Sequence, residues 1–449
     1  MKLFTATIGG MVAALMLFAV SIAMAGAFMP HSPEVRLDGK LNCPWVSREG
    51  GLVYLHLAVS AQEIERRGRL PMNLAVVIDR SGSMGSEGKM ENVKAAVRGL
   101  IDQLRQDDLL SIVIYDDVVE VLRPACRVDD KLILRRLVDE ISPRGWTNLG
   151  GGMMEGFHQV DQHCGRGYVN RVILLTDGLA NRGITSQDEL GRIARRYCSR
   201  SVSLSAIGVG LEYNENLLMT LANSGGGNYY YLYHPRELAK IFQREFDLLS
   251  TLVAQNACVD VTLGRGVRLR DAIGCELAHE GDRLMVALGD LAAGECREVT
   301  LALDLPPGIG TRPIADAVVR YATEGHADRR SNSIRILVTY TGDAASIDKH
   351  RDWDIQAKAD VAVSTRKVEQ ALIALDAGRK DEALNVLNDA RQTIASSPAA
   401  AQSGAASVIV KEQASRIRGF EEKIGSAGGD GARVKKSIQY ENYKIQRQR

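Results

Sequence analysis

Aromatic residues are scarce, at 5% of 449 positions, and net charge is nearly absent, with 56 Lys and Arg against 55 Asp and Glu leaving +1. So balanced a chain makes no overall field to draw nucleic acid or anionic lipid. With no Lys/Arg stretch interleaved with aromatics, it also lacks a stacking platform for single strands. Nucleic acid is therefore not expected as a partner. Beyond Ala25 there is no second apolar run long enough to cross a bilayer. The cysteines at 43, 126, 164, 198, 258, 275 and 296 make no Cys-x-x-Cys, which excludes a zinc knuckle or a thioredoxin-type centre. A Gly-x4-Gly-Lys-Ser/Thr loop is missing, and Gly208-Val209-Gly210 lacks the rest of a dinucleotide fingerprint. No Gly-x-Ser-x-Gly elbow surrounds Ser83, and no histidine is placed by sequence to act as its base. These absences point away from an enzyme.

What is present is ordinary globular composition, 45% hydrophobic and 25% charged, in a chain long enough for several domains. Met1-Lys2, the apolar run from Ile8 to Ala25 and the closing Ala23-Met24-Ala25 read as a secretory signal cleaved after Ala25. The alternative is an uncleaved anchor formed by the same run. Either way the remainder is expected to be exported, periplasmic or extracellular. In a potentially oxidising compartment Cys275 and Cys296, which bracket a pair of strands, are candidates for a disulfide, whereas Cys164 and Cys198 fall in predicted helices as buried thiols. His158, His163 and Cys164 lie close together but do not share a helical face, so no metal site is expected there.

From residue 70 to 250 strand and helix alternate. Apolar Leu74–Ile78 precedes a segment with Val93, Ala96, Val97, Leu100, Ile101 and Leu104 at helical spacing, and the pattern recurs to Leu249. This cadence predicts a doubly wound, mostly parallel α/β sheet with helices on both faces, which binds ligands at the carboxyl ends of its strands.

The informative residues fall at those ends. Strand one runs into Asp79-Arg80-Ser81-Gly82-Ser83, another loop holds Gly145-Trp146-Thr147-Asn148, and a later strand ends in Thr176-Asp177-Gly178. Asp79, Ser81, Ser83, Thr147 and Asp177 make an all-oxygen set without sulfur or imidazole, which suits a hard cation such as Mg²⁺, Mn²⁺ or Ca²⁺. Three of the five groups are neutral hydroxyls, so the ion stays electrophilic, with a position that a partner's Asp or Glu carboxylate can fill. A competing reading makes Asp79 and the serines helix caps and Asp177 a turn residue. Asp116 and Asp117 are either an outer shell to the ion or solvated turn residues. Trp146, Met153 and Met154 could line a recognition surface, although Met on a helix commonly packs in the core.

Residues 70–250 resemble a von Willebrand factor type A (VWA) domain, and the five residues match that family's metal-ion-dependent adhesion site. By that resemblance Ser81, Ser83 and Thr147 contact the ion directly, and Asp79 and Asp177 do so directly or through water. Pro71-Met72-Asn73-Leu74 and Asn181-Arg182-Gly183-Ile184-Thr185 resemble the family's bacterial secreted branch.

The flanks read differently. Short alternating runs between Ala257 and Tyr340 predict an all-β sandwich, over residues 251–343, and Val53–Val59, in the segment 26–66, is expected to pair into it, making the α/β domain an insertion. Residues 344–397 predict a helical hairpin turning at Gly378, and 398–449 a flexible, partly helical basic tail that could touch anionic lipid. The leading functional expectation is a cation-dependent protein-binding, adhesion or assembly module of the bacterial envelope. The alternatives are a structural scaffold that binds through the sandwich and tail, and a hydrolase using the metal to activate water.

Overall fold

The computed structural model describes residues 34–63, 69–164, 167–275, 277–323, 330–427 and 431–447. The expected export signal, residues 1–25, lies outside them. Alternation of apolar residues at Val53, Leu55, Leu57 and Val59 sends one face of a strand into a core and leaves the other for polar neighbours. That strand, β3 (Gly51–Ala61), follows β1 (Val35–Leu41) and the short β2 (Trp45–Ser47). Its partners are β1 and a strand far along the chain, with Val53 opposite Leu303 and Val59 opposite Arg297.

Between these two halves lies the α/β domain. In chain order it comprises β4 (Met72–Asp79), α1 (Lys89–Gln103), β5 (Leu109–Tyr115), β6 (Val119–Arg127), α2 (Lys131–Asp139), α3 (Leu149–Asp161), β7 (Val169–Thr176), α4 (Gln187–Cys198), β8 (Ser203–Val209), α5 (Glu215–Ser224), β9 (Gly226–Leu232) and α6 (Leu238–Ser250). The sheet order is β6-β5-β4-β7-β8-β9, parallel except for β6. Every residue of β4, β5, β7 and β8 is buried, because helices cover both faces. Leu74, Val76 and Ile78 face α1, α2 and α6, whereas Ala75 and Val77 face α3, α4 and α5. The glycines of α3 let it lie close on the sheet, since a Cβ at Gly152 would sit 2.4 Å from the Tyr115 ring.

The chain then builds β10 (Leu252–Leu263), β11 (Arg268–Ile273), β12 (Leu277–Glu280), β13 (Arg283–Ala292), β14 (Cys296–Leu305), β15 (Gly310–Ala322) and β16 (Arg330–Thr341). Two sheets, β1-β3-β14-β11 and β12-β13-β10-β15-β16-β2, enclose a core that includes Leu55, Leu57, Val259, Val286, Leu301 and Val319. The fold is thus an α/β domain inserted into a β-sandwich. No disulfide is formed among the seven cysteines, all of which are described. Cys296 lies opposite Ser60 in the ladder.

Five helices follow: α7 (Ala344–Lys349), α8 (Trp353–Asp376), α9 (Lys380–Ala395), α10 (Ala405–Gly425) and α11 (Gly431–Arg447). Helices α8 and α9 turn at Gly378, whose φ of 73° is left-handed, and pack Val368, Ala371 and Leu372 with Ala383 and Leu387. The C-terminal segment departs from the expected flexible tail. Its buried Val410, Ile417, Phe420 and Ile424 complete the helical core, and α11 docks on the α/β domain. There Lys435 and Lys436 pair with Glu215, Lys436 Nζ donates to the Tyr213 carbonyl at 2.7 Å, and Tyr443 stacks edge-on to Tyr229 at 5.5 Å. Lys435 also pairs with Asp376. Two of the charges expected to be free for lipid are therefore spent within the fold. Among the described residues no helix is long and apolar enough to cross a membrane.

A buried ionic network fastens the inserted domain to the sandwich. Arg171 on β7 donates from Nη2 to Asp290 on β13 at 2.9 Å, and Asp290 also accepts from Ser203 Oγ at 2.9 Å and the Asn256 amide at 3.0 Å. Arg171 lies 3.5 Å from Glu245 of α6, which also accepts from Asn228 at 2.8 Å and Tyr230 at 2.6 Å. Asp290→Ala strips this cluster of an acceptor and leaves the guanidinium under-compensated. The unfolding free energy from urea melts should fall by about 3 kcal/mol. A loss below about 1 kcal/mol, the level of an exposed pair, would contradict the anchoring role.

Candidate metal centre

Asp79 ends β4 and Thr176 ends the neighbouring β7, and the pairing of Ile78 with Leu175 brings the two strand ends level. Because β5 and β7 flank β4 on opposite sides, this is where successive connections leave the sheet in opposite directions and open a crevice. Asp79 is fully buried and its two oxygens are used differently. Oδ1 accepts the Ser81 amide at 2.8 Å, which folds the loop back on itself, and Oδ2 accepts the Thr176 hydroxyl at 2.7 Å. The 3₁₀ turn Gly82–Gly85 then sets Ser81 Oγ and Ser83 Oγ 3.1 Å apart. Ser83 Oγ continues the chain of contacts, donating to Asp177 Oδ1 at 2.7 Å.

The loop carrying Thr147 is tied to the first by backbone bonds. Gly82 N donates to the Gly145 carbonyl at 3.1 Å and Arg144 N to the Arg80 carbonyl at 2.7 Å. Gly145 has φ +70°, and a Cβ there would lie 2.6 Å from Asp117 Oδ2, so the turn needs glycine. Thr147 is further held by Asn181, whose Oδ1 accepts the Thr147 amide at 3.0 Å while its own amide donates to the Thr147 carbonyl at 3.2 Å. A Cβ built on Gly178 would meet Thr147 Oγ1 at 3.3 Å and Ser83 Oγ at 3.9 Å, so both hydroxyls border the same small volume over Gly178. All five candidate residues therefore come together at one rim. Asp79, Ser81, Thr147 and Asp177 are buried, and Ser83 is half-buried and opens the group to solvent.

This donor set fits a hard divalent cation. Its oxygens come from two carboxylates and three hydroxyls, and none of its members is a sulfur or imidazole ligand. Among the described residues no group of three His, Cys, Asp or Glu side chains is placed to hold a metal.

One residue that shapes the site was not singled out in the sequence. Lys89, at the start of α1 and 4% exposed, puts Nζ 2.7 Å from Asp177 Oδ2. Asp116 is not a solvated turn residue, and its side chain makes no hydrogen bond to any of the five among the described residues. It is 2% exposed, accepts Arg80 Nε at 2.8 Å, Arg144 Nε at 2.7 Å and the Val118 amide at 2.8 Å, and its carbonyl takes the Asn148 amide at 2.9 Å. Burial pushes its carboxyl up, but the bond from Arg144, that from Val118 and the charge of Arg80 outweigh this and hold it below the ordinary range. Asp117 is exposed and accepts the Trp146 amide at 3.3 Å. Around the rim Trp146, Met154 and Leu179 are exposed, and the Arg182 guanidinium lies 5.5 Å from the Trp146 ring centre. Met153 is fully buried among core side chains and lines no recognition surface.

Residues 73–244 match the family model described as von Willebrand factor type A domain. Over 356 residues the chain is 26% identical to the uncharacterized protein sll0103 of Synechocystis sp., a match spanning 76% of this chain and 82% of that protein. It is 24% identical over 195 residues to the inter-alpha-trypsin inhibitor heavy chain H2 of Mus musculus, spanning 42% of this chain and only a fifth (20%) of that one. Among solved structures, the von Willebrand factor type A protein from Catenulispora acidiphila superposes with a TM-score of 0.72 at 16% identity, over 94% of this chain and 98% of that one. Domain, sandwich and helical region thus recur together as a fold.

Burial pushes the Asp79 carboxyl from 3.8 up to about 6, against the hydrogen bonds from Ser81 and Thr176 and with added repulsion from Asp177. The folded chain therefore holds this proton more tightly than the unfolded one. The associated stability is fully present below pH 4 and is lost as pH rises through about 6. In EDTA, urea melts should show wild type losing on the order of 3 kcal/mol relative to Asp79→Asn between pH 4 and pH 7. Parallel pH profiles for the two proteins would refute the assignment.

Proposed function

We propose that the VWA domain binds a divalent cation through Asp79, Ser81, Ser83, Thr147 and Asp177 and uses it to grip an Asp or Glu side chain of a partner protein. The observation that carries this reading is the run of contacts from Ser81 Oγ through Ser83 Oγ to Asp177, at 3.1 and 2.7 Å, with the half-buried Ser83 hydroxyl at its centre on an otherwise buried rim. Such a group can be closed by an oxygen that arrives from outside. Bound there, Mg²⁺, Mn²⁺ or Ca²⁺ would supply a Lewis-acidic position for that oxygen.

The chain's own residues do the rest. Thr176 and the Ser81 amide orient Asp79, Asn181 holds the Thr147 loop, and Asp116 clamps Arg80 to Arg144 so that two of the loops keep their spacing. Exposed Trp146 and Leu179 flank the opening and give a partner apolar contact beside its carboxylate. The reading is of a binding module in the bacterial envelope, reached by export, and not of an enzyme. Ser83 donates to Asp177, a carboxylate already paired with Lys89 Nζ, and not to an imidazole.

Capture from envelope extracts with Mg²⁺ and with EDTA tests this directly. Asp177→Ala is a poor probe because it strands Lys89, so Ser83→Ala and Thr147→Ala are preferred. Each should lower Mg²⁺-dependent capture about tenfold or more while leaving the thermal midpoint in EDTA within about 3 °C. Capture that survives EDTA and both substitutions would favour a scaffold whose contacts lie elsewhere.

A further inference from the structure

We propose that Lys89 sets the charge of this centre, weakening its hold on the cation while strengthening its hold on the partner's anion. The inference rests on the reading just given. Lys89 Nζ lies 2.7 Å from Asp177 Oδ2, while the other oxygen of that carboxylate accepts Ser83, so a single carboxylate, itself a candidate ligand, separates the ammonium from the Ser83 hydroxyl. Neither partner can solvate its charge, since Asp177 is fully buried and Lys89 is 4% exposed. The end of β8 walls the lysine in, because a Cβ on Gly210 would meet its Cε at 3.3 Å and Nζ at 3.5 Å. On the open side Lys89 borders a cavity of about 690 Å³, whose exposed Glu87, Glu212 and Glu237 carboxylates are free to stay in water. The ammonium is thus fixed on the carboxylate that faces Ser83.

Charge counting gives the consequence. Asp79 and Asp177 ionised contribute two negative charges, and Lys89 returns one, so the protein side of the centre carries −1. A divalent cation then leaves the assembly at +1, whereas without the lysine it would be neutral. In a desolvated site a unit charge a few ångströms away is weakly screened. Repulsion from the ammonium lowers cation affinity, and the same residual positive charge holds an incoming carboxylate. Lys89 also leaves Asp177 neutralised when no ion is bound, which lets the loops keep their arrangement in both states.

The test uses the full chain as wild type, Lys89→Met, Lys89→Gln and Lys89→Arg. Calorimetric titration with Mn²⁺ should show the Met and Gln variants binding about tenfold more tightly than wild type, and Arg within about threefold of it. Acetate then serves as the anion probe on the Mn²⁺-loaded proteins, read by the loss of water-proton relaxation as it displaces coordinated water. The two neutral variants should need about tenfold more acetate than wild type and Arg. Gln keeps a hydrogen-bond donor for Asp177, so it reports on charge even where Met perturbs folding. Equal or weaker Mn²⁺ binding in the neutral variants overturns the proposal, as does tighter Mn²⁺ binding with unchanged acetate affinity. Absence of Mn²⁺ binding by wild type would instead overturn the function proposed above.

Discussion

Two carboxylates buried at the ends of adjacent parallel strands repel each other and lack water, and the surrounding rim is built around that problem. Asp79 and Asp177 are both fully buried. The fold treats them unequally. Asp79 is wrapped by a hydroxyl and an amide and has its carboxyl pushed up to about 6, so it keeps its proton well above the pH at which an exposed aspartate has lost it. Asp177 is instead paired with an internal ammonium. A centre in which one acid can lose a proton and the other already has a counter-charge can exist with or without a metal, and below about pH 6 binding an ion means displacing a proton as well as gaining ligands.

The spacing of the loops depends on groups that never touch the five oxygens. Asp116 holds Arg80 from the first loop and Arg144 from the second on a single oxygen, and its carbonyl fixes the amide of Asn148, the cap of α3. Asn181 does the same between the second and third loops. The far side of the domain is pinned by Arg171 and Asp290 to the sandwich, and α11 crosses back to Glu215 and Tyr229. The inserted domain is therefore held at several places by desolvated polar contacts, which fix geometry more than they add stability. This is consistent with a rigid rim presented to a partner.

Much of this was legible in the sequence, because the strongest signals are local. Apolar runs at Leu74–Ile78 and Arg171–Thr176 with helical spacing between them fixed the fold class, and the placement of Asp79, Ser81, Ser83, Thr147 and Asp177 at strand ends singled out the rim. The alternation of Val53–Val59 showed a half-buried strand that had no place in a parallel sheet, and its ladder with β14 supplies the partner. What stayed hidden was long-range or polar. Lys89 sits in a stretch that reads only as a helix start, and nothing in its neighbours announces an ion pair with a residue 88 positions later. Asp116 looks like any turn acid until the two arginines converge on it. The basic C-terminal segment reads as solvated because its lysines find their counter-charges on Glu215 and Asp376, far away in sequence. Charge composition reveals excess, but not where it is neutralised.

Metal-dependent binding requires that a divalent ion occupy the space bordered by the three hydroxyls. The most direct measurement is the anomalous difference map of a crystal grown with Mn²⁺. One strong peak is expected within coordinating distance of Ser81, Ser83 and Thr147, with Lys89 still on Asp177. A map with no peak there, or with manganese bound only elsewhere on the chain, would contradict metal-dependent binding at this rim.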